Sequence, residues 1–223
     1  MKIVCITASY LRPKVLELYL SGIDRLRSQT DIELISIVAG DGADVCRDYD
    51  TVHIPIPNRA LTEKFNLACI YARNFSPDYV CLMGSDDLMS VEVLNHVQQH
   101  QQCDYLNCRD IYFYAPKTNE MIYILSSHTG CCRFLRSDLL DNMDWQLCQN
   151  KPIGLDQHIY HKVERLFTSP HLFIGKEVGG ICIDVKTEVN LHGFDKWKTL
   201  PRVDPTPVLS FLSDKEMDIL RQL

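Results

Sequence analysis

No apolar run in this sequence approaches the roughly 20 residues that a helix needs to cross a bilayer. Positive charge is also scarce: 23 Lys and Arg against 29 Asp and Glu leave a formal net charge of −6. A surface of that balance lacks the basic footprint on which phosphate-backbone binding depends, so DNA and RNA are disfavoured as partners. The ten cysteines include no CxxC pair of the zinc-ribbon kind, and with it goes the simplest structural zinc site. Cys5 and Cys81 fall inside apolar, strand-like runs, where a thiol acts as a small hydrophobe. Reduced thiols in a cytoplasmic chain are therefore expected; the adjacent Cys131 and Cys132 receive no role. There is no GxxxxGK[ST] phosphate loop, "GDG" is too little for a dinucleotide fingerprint, and there is neither an internal repeat nor a low-complexity tract.

What remains is an ordinary globular composition, 46% hydrophobic and 23% charged over 223 residues, long enough to bury a sizeable core without disulfides. The opening "MKIVCITASYLRP" faintly resembles a signal peptide, but Arg12 and Pro13 cut its apolar part short, and a buried strand over 2–7 explains it better. Pro13 opens a helix in the position proline prefers, with Leu16, Tyr19, Leu20, Ile23 and Leu26 as its apolar stripe. Strands follow at 33–39 and 51–54. A helix over 60–74 carries Leu61, Phe65, Ala68 and Ala72 inward. A strand over 79–83 precedes a helix capped by Ser90, with Val91, Leu94 and Val97 inward. Continuous apolar strands alternating with amphipathic helices predict an α/β fold with a mostly parallel sheet flanked by helices. Ligands of such sheets bind beyond the carboxyl ends of the strands, which is where Asp41 and the pair Asp86/Asp87 fall.

The second half changes character. "YLNCRDIYFYA" and "EMIYILSS" around "PKTN" predict a β-hairpin, the core of a small mixed β extension. "FLRSDLLDNM" reads as a short helix, 154–166 as another, and "GGICIDVK" as a late strand. "RVDPTP" reads as an extended linker before a short helix over 213–223. The expected division is one domain over 1–200, in halves 1–102 and 103–200, and a C-terminal linker and helix over 201–223.

The stretch "YVCLMGSDDLMS" poses a chemical question. A buried strand runs directly into two adjacent carboxylates, which repel and resist burial. A bound cation is the simplest compensation, because the sequence offers no obvious counter-charge nearby. The alternative is a solvated turn in which an acid caps the next helix.

Taken together, "NRALTEKFNLACIYARNFSPDYVCLMGSDDLMS", "GDGAD" at 40–44 and "CCRFLRSDLLDNM…IGLDQHIYHKV" resemble, in order, the motifs of the family 2 glycosyltransferases of the GT-A fold. The sequence departs from the family pattern at Gly40, where an Asp is usual, and in an acidic motif that lacks the leading Asp. The resemblance implies a metal-dependent inverting glycosyltransferase. Its partners would be a nucleoside-diphosphate sugar, a UDP-sugar by family-level expectation, and an acceptor hydroxyl on a glycan, lipid-linked sugar, protein or hydroxylated nucleobase. The cofactor would be Mn²⁺ or Mg²⁺.

By the same resemblance Asp87 ligates the cation and Asp86 contacts the ribose or the metal shell. Asp41, Lys64, Ser85 and, more weakly, Asn66 bind the donor. Asp156, at a helix start, is the catalytic base that takes the acceptor proton, and His192 is a further metal ligand. Plainer readings stand beside these: Asp41 as a turn residue, Lys64 as a solvated lysine, Asp156 as a first-turn acid. Arg133 and Arg136 either face a diphosphate or lay their stems on apolar surface. His96 and His100, four apart on a helix, fit either a polar face or a zinc pair. Two other functions stay open: a sugar nucleotidyltransferase, whose Gly-rich signature "TASYLRPK" lacks, and a non-catalytic domain of the same fold.

Overall fold

The computed structural model describes residues 1–57, 60–126, 130–147, 155–166, 168–188, 194–197 and 199–223, with the side chains of 155–158 and 195 outside that set. In chain order the elements are β1 (Lys2–Ser9), α1 (Pro13–Gln29), β2 (Glu33–Gly40), α2 (Ala43–Arg47), β3 (Val52–Ile54), α3 (Leu61–Ala72), β4 (Tyr79–Leu82), β5 (Asp87–Met89), α4 (Val91–Gln99) and β6 (Tyr105–Cys108). They continue with β7 (Asp110–Ala115), β8 (Glu120–Leu125), β9 (Arg133–Arg136), α5 (Ser137–Asp141), α6 (Leu155–Val163), β10 (Pro170–Phe173), β11 (Cys182–Val185), β12 (Arg202–Val203), α7 (Pro205–Leu209) and α8 (Asp214–Leu220).

Seven strands form the main sheet in the order β10-β6-β9-β4-β1-β2-β3. All neighbours run parallel except β9, which lies antiparallel between β4 and β6. Alternate side chains of a strand point to opposite faces, and β1 sorts itself accordingly. Ile3 and Cys5 join one apolar cluster with Leu16, Tyr19, Leu20, Ile23 and Leu26 of α1. Val4 and Ile6 join another with Phe65, Ala68 and Ala72 of α3. The expected α1 stripe is thus buried throughout. On α3, by contrast, Leu61 is exposed while Thr62 and Lys64 are buried. The helix turns a polar side chain inward at the end nearest the carboxyl ends of β1 and β2.

A second, mixed sheet has the order β12-β8-β7-β11-β5. The predicted hairpin is its centre, with β7 and β8 antiparallel across residues 116–119. Its first segment divides at Arg109: β6 belongs to the main sheet and β7 to the second. Two further expectations differ. "FLR" is strand β9 rather than helix, because Phe134 and Leu135 are held between β4 and β6, and α5 starts only at Ser137. "RVDPTP" is not extended throughout, since it supplies β12 and opens α7. Ser90 does stand at the start of α4, but its hydroxyl accepts from Ile181 N–H at 3.0 Å instead of capping the helix. The nine described cysteines are all buried and free, and no described helix is long and apolar enough to cross a membrane.

The last helix is tied in by a buried ion pair. Glu216 caps α8 reciprocally with Ser213, and its carboxylate also accepts from Arg25 Nε at 2.9 and 3.2 Å. Arg25 Nη2 donates to Met89 O at 2.8 Å, so α1, α8 and β5 meet at one guanidinium. Removing one partner of a buried pair strands the other charge and costs about 3–5 kcal/mol. Glu216→Ala is therefore expected to lower the unfolding free energy in urea by about that amount. Arg25→Met/Glu216→Leu should recover part of it. A single-variant loss below about 1 kcal/mol would mean that the pair does not hold α8.

Candidate active site

At the carboxyl end of β4 the chain leaves the main sheet and joins the second. Residues 83–86 make this passage, and β5 then pairs antiparallel with β11, setting Asp87 directly opposite Asp184. Asp86, Asp87 and Asp184 bring one carboxylate oxygen each within 4.8 Å of one another. Gly84 makes the turn possible: a Cβ there would lie 2.5 Å from Asp86 Oδ1 and 3.0 Å from Asp87 Oδ2. Only a residue without one lets both carboxylates fold back over the backbone. Asp87 Oδ2 accepts from Gly84 N–H at 2.5 Å.

Protein cations face this group after all. Arg12 Nη1 donates to Asp86 Oδ2 at 3.0 Å. Lys186, whose ammonium lies 4.4 Å above the Phe113 ring, pairs with Asp184. The expectation that the acidic pair has no counter-charge is thereby corrected: Arg12 comes from the β1–α1 loop, 74 residues away, and Lys186 from beyond β11. Asp87 is buried and Asp86 and Asp184 are half-buried. Burial, reinforced by Asp184 and Asp86, pushes the Asp87 carboxyl well above the usual range against the opposing Gly84 N–H and Lys186. Burial and Asp86 likewise raise Asp184 to about 7, against Lys186 and Arg12. Asp184 Oδ1 and the buried Ser85 Oγ find no hydrogen-bond partner among the described residues. Three hard oxygen donors and an orphaned carboxylate oxygen together fit a divalent cation of the Mg²⁺ or Mn²⁺ kind.

Of the other predicted residues, Asp41 and Lys64 lie at the same edge. Gly40 ends β2 with φ 126°, and a Cβ on it would lie 2.1 Å from Ser9 O. That backbone explains why no aspartate stands there. Lys64 is buried, donates from Nζ to Ser9 O at 2.9 Å and lies 5.1 Å from the centre of the Tyr10 ring. Burial lowers its pKa, Asp41 opposes this, and Arg12 adds to it. Asp41, Lys64, Arg12, Asp86, Asp184 and Lys186 thus form a row of interacting charges along the strand ends. Asp41 also lines an open cleft of about 400 Å³ with Gly42, His53, Ile56 and Pro57. His53, which the sequence did not single out, touches Gly40 O through Nε2 at 2.8 Å.

Asn66 sits one helical position past the Phe65 stripe on α3, half-buried. Arg133 pairs in register with Leu82, next to the acidic loop. Arg136 pairs with Tyr79 at the opposite end of β4 and binds Asp138, which removes it from the site. Asp156 falls in the first turn of α6; its side chain, and the whole of His192, lie outside the described residues. Asp184 was missed. Its signal was present, a lone acid in the middle of the apolar run "ICIDV".

The raised carboxyls have a consequence for stability. An unfolded aspartate releases its proton near pH 4, whereas folded Asp184 holds one until about pH 7. Between those values the folded state binds more protons, so its stability falls as pH rises. In EDTA, the wild-type melting temperature is expected to drop from pH 5 to pH 8, and Asp184→Asn to flatten that drop. Parallel curves for the two proteins would place the cause elsewhere.

The sequence matches no protein-family model and no curated protein. The fold does have solved counterparts. S. aureus TarS (residues 1–349) aligns over 78% of this chain and 58% of its own, at 13% identity and TM-score 0.53. The mannosyltransferase PcManGT from Pyrobaculum calidifontis, in complex with GDP-Man and Mn²⁺, aligns over 88% and 59%, at 14% identity and TM-score 0.54. HddC from Yersinia pseudotuberculosis aligns over 82% and 92%, at 10% identity and TM-score 0.52. The chain spans less than two thirds of the length of the first two. A mostly parallel sheet flanked by helices, a second sheet crossing from its acidic edge and these likenesses together establish a GT-A-like fold.

Proposed function

We propose that this chain is a metal-dependent, inverting glycosyltransferase that uses a nucleoside-diphosphate sugar. The observation that carries the reading is the carboxylate triad Asp86, Asp87 and Asp184 at the carboxyl end of β4, beside a cleft bounded by Asp41. Asp87 and Asp184, with Asp86, would hold Mn²⁺ or Mg²⁺, and His192 is proposed as a further ligand. When bound, that cation neutralises charge on a departing diphosphate.

The remaining work falls to the chain's own side chains. Asp41 and the cleft beside it receive the nucleoside of the donor, a pairing that the neighbouring His53 and Ile56 favour by offering one polar and one apolar wall. Buried Lys64 puts a fixed positive charge beside the donor phosphates, and Ser85 offers them its unpartnered hydroxyl. Asn66 lies farther along the same helix and is the weakest of the donor contacts. Asp156 takes the proton of the acceptor hydroxyl as its oxygen attacks the anomeric carbon and the diphosphate leaves with the bonding pair. A carboxylate in the first turn of a helix is stabilised as the anion, the form that this role needs.

Two substitutions separate binding from chemistry. Asp87→Asn is expected to abolish metal-dependent donor binding in a calorimetric titration; equal affinity in EDTA would sink the metal assignment. Asp156→Asn is expected to keep donor affinity and to slow transfer by about 10²-fold, the usual loss for a general base. Near wild-type transfer would place the base elsewhere. Following the released product also tests the reaction class, since a glycosyltransferase frees nucleoside diphosphate, a nucleotidyltransferase frees pyrophosphate, and a non-catalytic domain frees neither.

A further inference from the structure

Far from the acidic loop, three imidazoles converge. His96 and His100 lie one turn apart at the end of α4, and His171 is the second residue of β10, the outer strand of the main sheet. β10 stands three places from β4 in that sheet, and the register through β6 and β9 sets His171 level with Cys81, so its separation from the acidic loop is across the sheet. One ring nitrogen from each of the three lies within 4.8 Å of the others. The His100 and His171 rings stack at 4.2 Å and 10°, and the His96 ring centre is 4.2 Å from His100 and 5.1 Å from His171.

The hydrogen bonds fix where the lone pairs point. His100 Nδ1 lies 2.9 Å from His96 O. A carbonyl oxygen only accepts, so Nδ1 carries the proton and His100 keeps its lone pair on Nε2. A backbone carbonyl on the far nitrogen is the usual way in which a metal-ligating histidine is oriented. His96 Nε2 and His171 Nε2 lie 2.8 Å apart; without an ion one of them carries the proton that the other accepts, and a bound metal would take that proton's place between the two nitrogens. Among the described residues no carboxylate pairs with any of the three rings. Two or three imidazolium charges at such ring distances would repel one another. Neutral imidazole is the form that binds metals.

We infer that His96, His100 and His171 form a second metal site, one that takes a single divalent transition ion of the Zn²⁺ class. Its donor set is all nitrogen, whereas Asp86, Asp87 and Asp184 offer only oxygen. Borderline ions prefer imidazole, and Mg²⁺ prefers carboxylate and water. Three protein ligands leave one position of a tetrahedral ion open. The three residues are half-buried, so an ion in solution reaches them without unfolding the core. Bound there, the ion clips the edge strand β10 to the end of α4.

The test uses the full chain without a histidine tag and Co²⁺ as a spectroscopic stand-in for Zn²⁺. Addition of Co²⁺ to the protein, with excess Mg²⁺ present to occupy oxygen sites, is expected to raise visible ligand-field bands at one equivalent. No intense near-ultraviolet sulfur-to-metal band should accompany them. Zn²⁺ should displace Co²⁺ and abolish the bands. His171→Gln and His100→Gln should each weaken Co²⁺ affinity by at least about 100-fold, the upper end of what loss of a mere orienting partner costs. Asp184→Asn should leave the bands unchanged. Circular dichroism of each variant establishes that it is folded, and His96→Gln serves if either of the others is not. Bands that survive two histidine substitutions, a thiolate band, or bands lost with Asp184→Asn would each overturn the proposal.

Discussion

Asp87 and Asp184 face each other across an antiparallel pair of strands, inside the protein, with Asp86 beside them. A buried carboxylate in register with a half-buried one is an unfavourable arrangement, and much of the surrounding structure answers it. Gly84 lets the loop turn beneath the carboxylates. Arg12 reaches back from the start of α1 to Asp86, and Lys186 closes over Asp184. Burial, with the neighbouring carboxylates adding to it, raises the proton affinity of Asp87 and Asp184, and the same gathering of oxygen donors that holds a proton suits a divalent cation.

The position of that charge follows from the change of sheet. β4 ends in the main sheet and β5 begins in the second, so the acidic loop sits where the two sheets separate, tied to one by Met83 N–H on Ile6 O and to the other by Val185 N–H on Asp86 O. The strand after the loop is held from behind. Arg25 of α1 binds both Glu216 of α8 and the carbonyl of Met89, the last residue of β5. The C-terminal helix is therefore coupled to the acidic strand through one buried guanidinium, and the stability of the fold and the placement of Asp87 share a support.

The two clusters of side chains able to ligate a metal differ in kind. The acidic one lies at the carboxyl ends of central strands, next to Lys64, Asp41 and the open cleft. The imidazole one lies at a sheet edge, away from that row of charges. Oxygen donors with net negative charge and nitrogen donors with none select different ions, so one chain can hold both without competition between them.

Local pattern sufficed for most of the first hundred residues, but not for α2 or β5, which it did not anticipate. The 3.6-residue stripe of α1 and the apolar runs of β1, β2 and β4 are properties of adjacent residues, and so was the prediction that Asp41 and Asp86/Asp87 end at one edge of a parallel sheet. Lys64 was legible as a candidate but not as a buried group, because the outward turn of Leu61 depends on what lies beneath α3. Short strands in the second half were harder. Four residues of β9 carry too little alternation to be told from helix, and the split between two sheets is marked only by the charged pair Arg109–Asp110, which local pattern reads as part of one strand. Partners from distant parts of the chain were beyond sequence alone: Arg12 with Asp86, Asp184 with Asp87, His171 with His96 and His100. Side-chain chemistry and local periodicity are written residue by residue. Which charges and which ligands meet is decided by strand order and register, and only the folded chain sets those.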